Sequence, residues 1–207
     1  MTIDRSILAK LSEADSRLGQ LIASYGPPKI EQDDHLFRSI AESIMAQQLA
    51  WAAASTIIRR FKELYPGEEF PEPKDVLATP FEKLRAVGLS KQKASYIVDL
   101  ATKVADGTIN LEKLPSMADE EVIEHLVQVK GVGRWTAEMI LIFSLGRLDV
   151  LPVDDYGVQK GFQKVYGLRK LPSPERMKRI AAKWKPYRTI GSWYMWKAVD
   201  TAPPVGE

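Results

Sequence analysis

Apolar residues recur at intervals of three and four along almost the whole chain, and this spacing restricts the fold more than any other feature of the sequence. The interval places apolar side chains on one face of an α-helix, whereas the two-residue alternation of a half-buried strand is scarce. We therefore predict an all-α protein. The predicted helices cover about 7–22 (ending before Gly26-Pro27-Pro28), 36–45, 50–64 and, with Ser90 as the cap, 91–104.

The composition excludes several kinds of site. The chain has no cysteine and two histidines, which rules out disulfides, thiolate zinc sites and iron–sulfur clusters. The formal net charge of +2 says little, but residues 147–197 hold twelve Lys and Arg against four acidic residues. A local net charge of +8 suits a polyanion, and it is also what a solvated helical surface carries.

Residues 119–158 contain the most informative motif. Asp119, Glu120 and Glu121 start one predicted helix, and a second runs from about Arg134 to Leu145. The turn between them, Lys130-Gly131-Val132-Gly133, combines glycines with flanking positive charge. Exposed backbone amides before a helix form an anion site that suits a phosphate, although such a turn is also a common helical connection.

The whole string, with Leu-Pro-Val-Asp-Asp-Tyr following at 151–156, resembles the helix-hairpin-helix DNA glycosylases, in particular the 3-methyladenine DNA glycosylase II branch. The resemblance extends over about residues 33–200. It includes Phe37 to Leu49, Gly88-Leu89-Ser90 with Lys93, Ala94 and Ile97, and Trp184 to Trp196.

This resemblance implies a two-lobed, all-helical fold with a DNA-binding cleft between the helical lobes. We expect residues 1–50 and 149–207 to form a terminal lobe and residues 51–148 a central lobe that contains the helix-hairpin-helix at about 119–145. The sequence upstream of the match is short, so the chain is similar to the compact members without an N-terminal β domain.

Asp155 matches the family's catalytic aspartate. A carboxylate beside C1′ stabilises the positive charge that develops when a base leaves deoxyribose, and it can orient the attacking water. Asp155 or Asp154 is equally suited to cap the helix that begins near Tyr156, and Asp154 is the alternative to Asp155 for the catalytic role.

Trp135 occupies the position at which the related enzymes that also cut the DNA strand carry a lysine nucleophile. The resemblance therefore implies a monofunctional enzyme that uses water, with Lys130 and Lys160 as the alternatives for a displaced amine. The resemblance assigns the pocket for a flipped base to Trp135, Tyr156, Trp196 and Met139, the last in place of a tyrosine. Trp184 and Trp193 are expected in the core.

Further roles follow from the same resemblance. Gln48, with Gln47 beside it, falls at the position of the wedge that fills the gap left by the flipped base; a polar helix end is the alternative. The phosphate-binding residues are Lys130, Gly131, Val132, Gly133, Arg134 and Thr136. The resemblance implies no required cofactor, but it implies a monovalent cation held by the main-chain carbonyls of Val127, Val129 and Val132.

The sequence thus predicts an enzyme that removes alkylated purines from double-stranded DNA as a monomer. The absence of a leader or an apolar segment of membrane-spanning length favours a soluble intracellular protein that contacts no membrane. A non-enzymatic helix-hairpin-helix protein, an oxidised-purine glycosylase/lyase and an unrelated helical interaction module remain as alternatives.

Overall fold

The computed structural model describes residues 3–30, 32–33, 35–67 and 69–199, and all regular structure within these ranges is helical, as predicted. Two 3-10 helices, Leu111–Ser116 and Ala182–Trp184, accompany the α-helices. The α-helices are α1 (Arg5–Ala14), α2 (Ser16–Tyr25), α3 (Leu36–Ala46), α4 (Trp51–Lys62), α5 (Pro73–Ala78), α6 (Phe81–Ala86), α7 (Lys91–Ala105), α8 (Asp119–Leu126), α9 (Arg134–Phe143), α10 (Tyr156–Tyr166), α11 (Pro174–Ala181) and α12 (Arg188–Ala198).

The chain divides into two compact units. The terminal unit holds the described parts of 1–32 and 141–207, and the central unit holds those of 33–140. The boundaries between the two units, after residues 32 and 140, lie earlier in the chain than the predicted boundaries after residues 50 and 148. The first shift arises because α3 packs on α4 and α7 and so groups with them, and the second division falls inside α9.

The single helix predicted over 7–22 is wrong, because the chain breaks at Asp15 into α1 and α2. The backbone of Asp15 is extended, and its Oδ1 accepts hydrogen bonds from the amides of Arg17 and Leu18 at 3.1 and 3.4 Å. An aspartate that caps the second helix in this way ends the first one. The apolar spacing continues across the break, so periodicity alone did not reveal it.

Asp15 is also the centre of a buried polar network in the terminal unit. Its Oδ2 accepts hydrogen bonds from the Tyr166 hydroxyl and from Trp184 Nε1, the latter at 3.0 Å, and Lys183 Nζ lies 3.2 Å away. Burial alone would raise the pKa of Asp15, but these donors outweigh it and hold the pKa below its ordinary value. The same burial raises the pKa of Tyr166. The network fixes the start of α2 to segments about 150 residues further along the chain.

The rest of the terminal unit packs around α12. This helix lies against α10 and α2, and Trp184 and Trp193 are buried, as predicted. In the central unit α7 contacts α3, α5 and α6. Ser90 caps α7 through the amide of Lys93, which confirms the predicted cap. Among the described residues, no helix is long and apolar enough to cross a membrane.

Candidate functional site

The predicted hairpin is present in the central unit, where α8 and α9 flank a turn at 127–133. The carboxylate of Glu121 accepts the amide of Ala118 at 2.8 Å, and the first turn of α8 holds all three predicted acidic residues. Helix α9 begins at Arg134, as predicted, and ends two residues earlier than predicted.

The turn is held against α7. Asp99 Oδ2 accepts the amide of Lys130 at 2.9 Å and also Lys103 Nζ at 2.7 Å, while Lys103 Nζ donates to the Gln128 carbonyl at 2.5 Å. Burial would raise the pKa of Asp99, but hydrogen bonds from Lys103 and Lys130 keep it below its ordinary value. No local pattern predicts this role of Asp99, because the contact joins residues 31 positions apart.

The two glycines of the turn have different functions. Gly131 has φ +82°, and a Cβ there would come within 2.1 Å of the Tyr96 ring, so this position requires glycine for the fold. Gly133 has no such need, since a Cβ there would meet nothing within 4 Å. An anion that approaches the start of α9 would pass through this open space. Gly133 therefore remains a candidate for phosphate binding.

Much of the positive charge at the hairpin is already paired. Lys130 Nζ lies 3.5 Å from Asp99 Oδ1, and the Arg134 guanidinium pairs with Glu120 and Glu138. Hydrogen bonding to Glu120 raises the pKa of Arg134.

The amides of Lys130 and Val132 are also used inside the protein, by Asp99 and by the Val129 carbonyl at 3.0 Å. The start of α9, with Thr136 in its first turn, therefore remains the candidate for binding a phosphate.

The implied cation site consists of the carbonyls of Val127, Val129 and Val132. The Val129 carbonyl accepts one hydrogen bond, from Val132, which leaves its second lone pair as a ligand. Within the described ranges no cluster of His, Cys, Asp and Glu suits a metal ion. Neutral carbonyls alone suit a weakly held monovalent cation better than a transition metal, and the cation stays a prediction.

The loop at 47–50, between α3 and α4, is tied to the hairpin. Gln47 Nε2 donates to the Gly131 carbonyl at 2.8 Å, so the Gln47 side chain binds the protein itself. Gln48 has φ +58°, a left-handed conformation that is unusual for a residue other than glycine. The candidate wedge residue is thus exposed on a strained backbone.

Lys93, on α7, fixes this loop from the other side. Its Nζ donates to the carbonyls of Met45 and Gln47 at 2.8 and 2.6 Å, where the last carbonyls of α3 would otherwise lack partners. Burial lowers the pKa of Lys93. Lys93 belongs to the motif at 88–97, which did not by itself predict this role.

Asp155 lies in the terminal unit at the start of α10 and is buried. Its Oδ1 accepts two hydrogen bonds, from the Val158 amide and from Trp196 Nε1, each at 2.8 Å. The predicted cap is therefore formed by Asp155, whereas Asp154 is exposed.

Gly157 permits this arrangement. A Cβ at residue 157 would lie 2.9 Å from Trp196 Cδ1 and 3.1 Å from Asp155 Oδ1. Any larger residue would push the indole away from the carboxylate, so Gly157 belongs to the site although the sequence analysis did not single it out.

The four residues assigned to a base pocket differ in exposure. In the terminal unit Tyr156 is 63% exposed, with Lys160 Nζ 5.5 Å from its ring centre, and Trp196 is 1% exposed and packs on Phe143. In the central unit Trp135 is 37% exposed and Met139 is buried. Tyr156 and Trp135 thus present ring surface, whereas Trp196 is buried and donates its N–H to Asp155.

The fold and these features define a class of protein, the helix-hairpin-helix proteins in which a capped, buried aspartate follows the hairpin. Residues 41–186 match the family model described as HhH-GPD superfamily base excision DNA repair protein. The chain belongs to this superfamily.

Named relatives agree with this placement. The DNA-3-methyladenine glycosylase 1 of Schizosaccharomyces pombe is 35% identical over 196 residues, which cover 94% of this chain and 86% of that protein.

Solved structures give the same result. A DNA-3-methyladenine glycosidase from Bacillus halodurans is 36% identical and superposes with a TM-score of 0.88 over 97% of this chain and 92% of that one. The S. pombe 3-methyladenine DNA glycosylase, solved in complex with abasic DNA, has a TM-score of 0.84 and 32% identity, covering 98% of this chain and 100% of that one.

Proposed function

We propose that this protein is a DNA glycosylase that hydrolyses the N-glycosidic bond of alkylated purines, the first step of base excision repair. The observation that carries the proposal is the buried Asp155 carboxylate, held by two donors directly after a helix-hairpin-helix. The relatives named as DNA-3-methyladenine glycosylases support the choice of alkylated purines.

Asp155 would act on the sugar. Departure of the base leaves positive charge on C1′ and the ring oxygen, and a fixed carboxylate stabilises this charge without reorganising. Because Trp196 and Val158 both bind Oδ1, the carboxylate cannot rotate freely. In this proposal Asp155 also orients the water that attacks C1′.

Hydrolysis, rather than strand cleavage, follows from Trp135. An indole cannot form the Schiff base that a lysine at this position would form. Both alternative amines contact other side chains in the structure. Lys130 Nζ lies beside Asp99, and Lys160 Nζ lies over the Tyr156 ring. A monofunctional enzyme is therefore the form we propose.

The partner in this proposal is double-stranded DNA, bound by a monomer. The first amides of α9 would contact a phosphate, and Gln48 would enter the gap left by the flipped nucleotide. The proposed contacts to the flipped base are Trp135, Tyr156, Trp196 and Met139. No cofactor is proposed except a structural monovalent cation on the hairpin carbonyls, where it would add positive charge near the phosphate.

The lesions should carry their own positive charge. Neither histidine is an evident general acid, since His125 Nε2 accepts the Asn110 amide at 3.0 Å in a structural contact and His35 lies at the start of α3. An alkylated purine that is already cationic leaves without a proton, and it is attracted to aromatic faces. We therefore propose 3-methyladenine and 7-methylguanine as the substrate type.

The test is chromatography of the bases released from methylated duplex DNA. Release of 3-methyladenine and 7-methylguanine by the wild-type protein, with faster excision of these than of hypoxanthine, is the expected result. Tight DNA binding without release of any base would instead identify a non-enzymatic binding protein. Faster excision of 8-oxoguanine than of methylated purines would contradict the lesion class.

A further inference from the structure

Residues 48–53, which we call the tip, form an exposed and uncharged segment where α3 passes into α4. Trp51 is 60% exposed and Leu49 is 40% exposed, and no charged side chain occurs from Ser43 to Ile58. Adjacent exposed apolar residues, unlike a single one, are typical of an interaction site. The sequence analysis included Leu49 in a family motif but gave neither residue a role.

The tip is held in place by several contacts. Lys93 Nζ fixes the carbonyls of Met45 and Gln47, and the Gln47 side chain is hydrogen-bonded to the hairpin at Gly131. Gln48 keeps a left-handed backbone, φ +58°, which persists only where the surroundings impose it. An apolar tip fixed in this way loses little conformational entropy when it binds a partner.

The size of the tip argues against a protein partner. A stable protein–protein interface buries about 800 Å² on each side and involves roughly 20–30 residues, whereas the tip has six residues. An apolar side chain that enters a base step needs no such area, because it is enclosed by two stacked bases.

The position of the tip argues for DNA. It is joined to the hairpin through Gln47, and the nearest upstream acidic side chain, Glu42, pairs with Lys62 at 3.2 Å. Trp51 lies three positions after Gln48, a span of at most about 11 Å, or about three base steps of roughly 3.4 Å.

We propose that Trp51 is a DNA-contacting residue that stacks on a base step within about three nucleotides of the extruded one, with Leu49 beside it. It would supply affinity that does not depend on sequence, since every base has a stacking face. The inference rests on the proposed function insofar as that function makes duplex DNA the partner.

The experiment compares the full chain with Trp51→Ala, Trp51→Phe and Leu77→Ala. Leu77 is a control because it is a similarly exposed apolar residue of the same unit, 42% exposed on α5. The probe is a fluorescent duplex with a tetrahydrofuran abasic analogue, titrated by anisotropy. Duplexes with 2-aminopurine at each of three positions on either side of the analogue report local unstacking.

Loss of one stacked base corresponds to about 5- to 100-fold weaker binding. We expect this loss for Trp51→Ala, a smaller loss for Trp51→Phe and none for Leu77→Ala. The wild-type protein should change 2-aminopurine fluorescence at a position within this span, and Trp51→Ala should abolish that change.

If Trp51→Ala binds the duplex as tightly as wild type while wild type binds it well, the inference is wrong and the proposed function stands. If wild type does not bind the duplex, the proposed function fails, and this inference with it. If Trp51→Ala changes only the sedimentation of the free protein, the tip mediates self-association and the DNA role is overturned.

Discussion

Trp196 Nε1 donates a 2.8 Å hydrogen bond to Asp155 Oδ1, the same oxygen that accepts the Val158 amide. The first donor belongs to α12 and the second to α10, so the orientation of the carboxylate depends on how these two helices pack. Capping and catalysis are therefore compatible roles for Asp155. Its Oδ1 caps the start of α10, and the two hydrogen bonds hold the carboxylate in one orientation.

Asp155→Asn tests the carboxylate directly. Asparagine keeps an oxygen that accepts both hydrogen bonds, so the fold should survive and only the negative charge is lost. We expect base release to fall by at least about 100-fold with DNA affinity unchanged, measured by single-turnover excision and anisotropy. Asp154→Asn is the matched control, since Asp154 is exposed, and it should remain active. Substantial activity in a folded Asp155→Asn protein would contradict the assignment.

Trp196→Phe removes one hydrogen bond and keeps an aromatic ring in place. A hydrogen bond to a charged group contributes about 1.5–3 kcal/mol, so the excision rate should fall by roughly tenfold or more. The loss should appear in the single-turnover rate at saturating enzyme rather than in DNA affinity. Equal losses in rate and affinity would instead indicate that the ring contacts the substrate. Gly157→Ala should lower the rate in the same way, because it displaces the indole.

Gly133→Ala separates DNA binding from folding. A Cβ at Gly133 meets nothing in the protein, so the free energy of unfolding should change little, while a phosphate approaching the α9 amides would meet the methyl group. Binding should weaken about equally for all DNA sequences. Gly131→Ala is the contrasting variant, because its Cβ would clash with Tyr96 and lower stability. A change confined to lesion preference in Gly133→Ala would exclude a phosphate contact.

Borohydride trapping tests the use of water. No covalent enzyme–DNA adduct should form, since Trp135 cannot provide an amine. Denaturing electrophoresis of reactions with and without borohydride is the measurement, and a known glycosylase/lyase serves as the positive control. An adduct that disappears when Lys130 or Lys160 is replaced by Gln would show a displaced nucleophile.

Asp15→Asn probes the buried network of the terminal unit. Asparagine can still cap α2, but it loses the charge that Tyr166, Trp184 and Lys183 stabilise, so we expect a destabilisation of roughly 2 kcal/mol near neutral pH. Because the folded pKa of Asp15 lies below its ordinary 3.8, its contribution exists above that value and disappears as the pH falls through the folded pKa. The free energies of unfolding of wild type and variant, measured by denaturant titration, should therefore converge in acid.

Asp4→Asn provides the control for this effect. Asp4 caps α1 through the amide of Ser6 at an exposed position, so asparagine should replace it with a change below about 1 kcal/mol. A loss for Asp15→Asn as small as that for Asp4→Asn would show that the network adds little beyond the cap.

Signals of short range made much of this protein predictable from its sequence. Apolar spacing identified the helical class, Ser90 identified a helix start, and the glycine-containing turn with Asp155 about twenty residues later identified the family. The first two signals depend on backbone geometry over a few residues, whereas the third is a resemblance to a known family.

The tertiary structure decided the contacts between residues that are distant in the chain. The second carboxylate oxygen of Asp15 binds Tyr166 and Trp184, and the loop at Gln47 is held by Lys93 and the hairpin. Asp155 receives its second donor from a residue 41 positions later. Side-chain partners of this kind arise from helix packing, which apolar spacing favours but does not specify. The sequence by itself therefore determined the helical class and the hairpin, and only the tertiary structure determined what holds their functional groups in place.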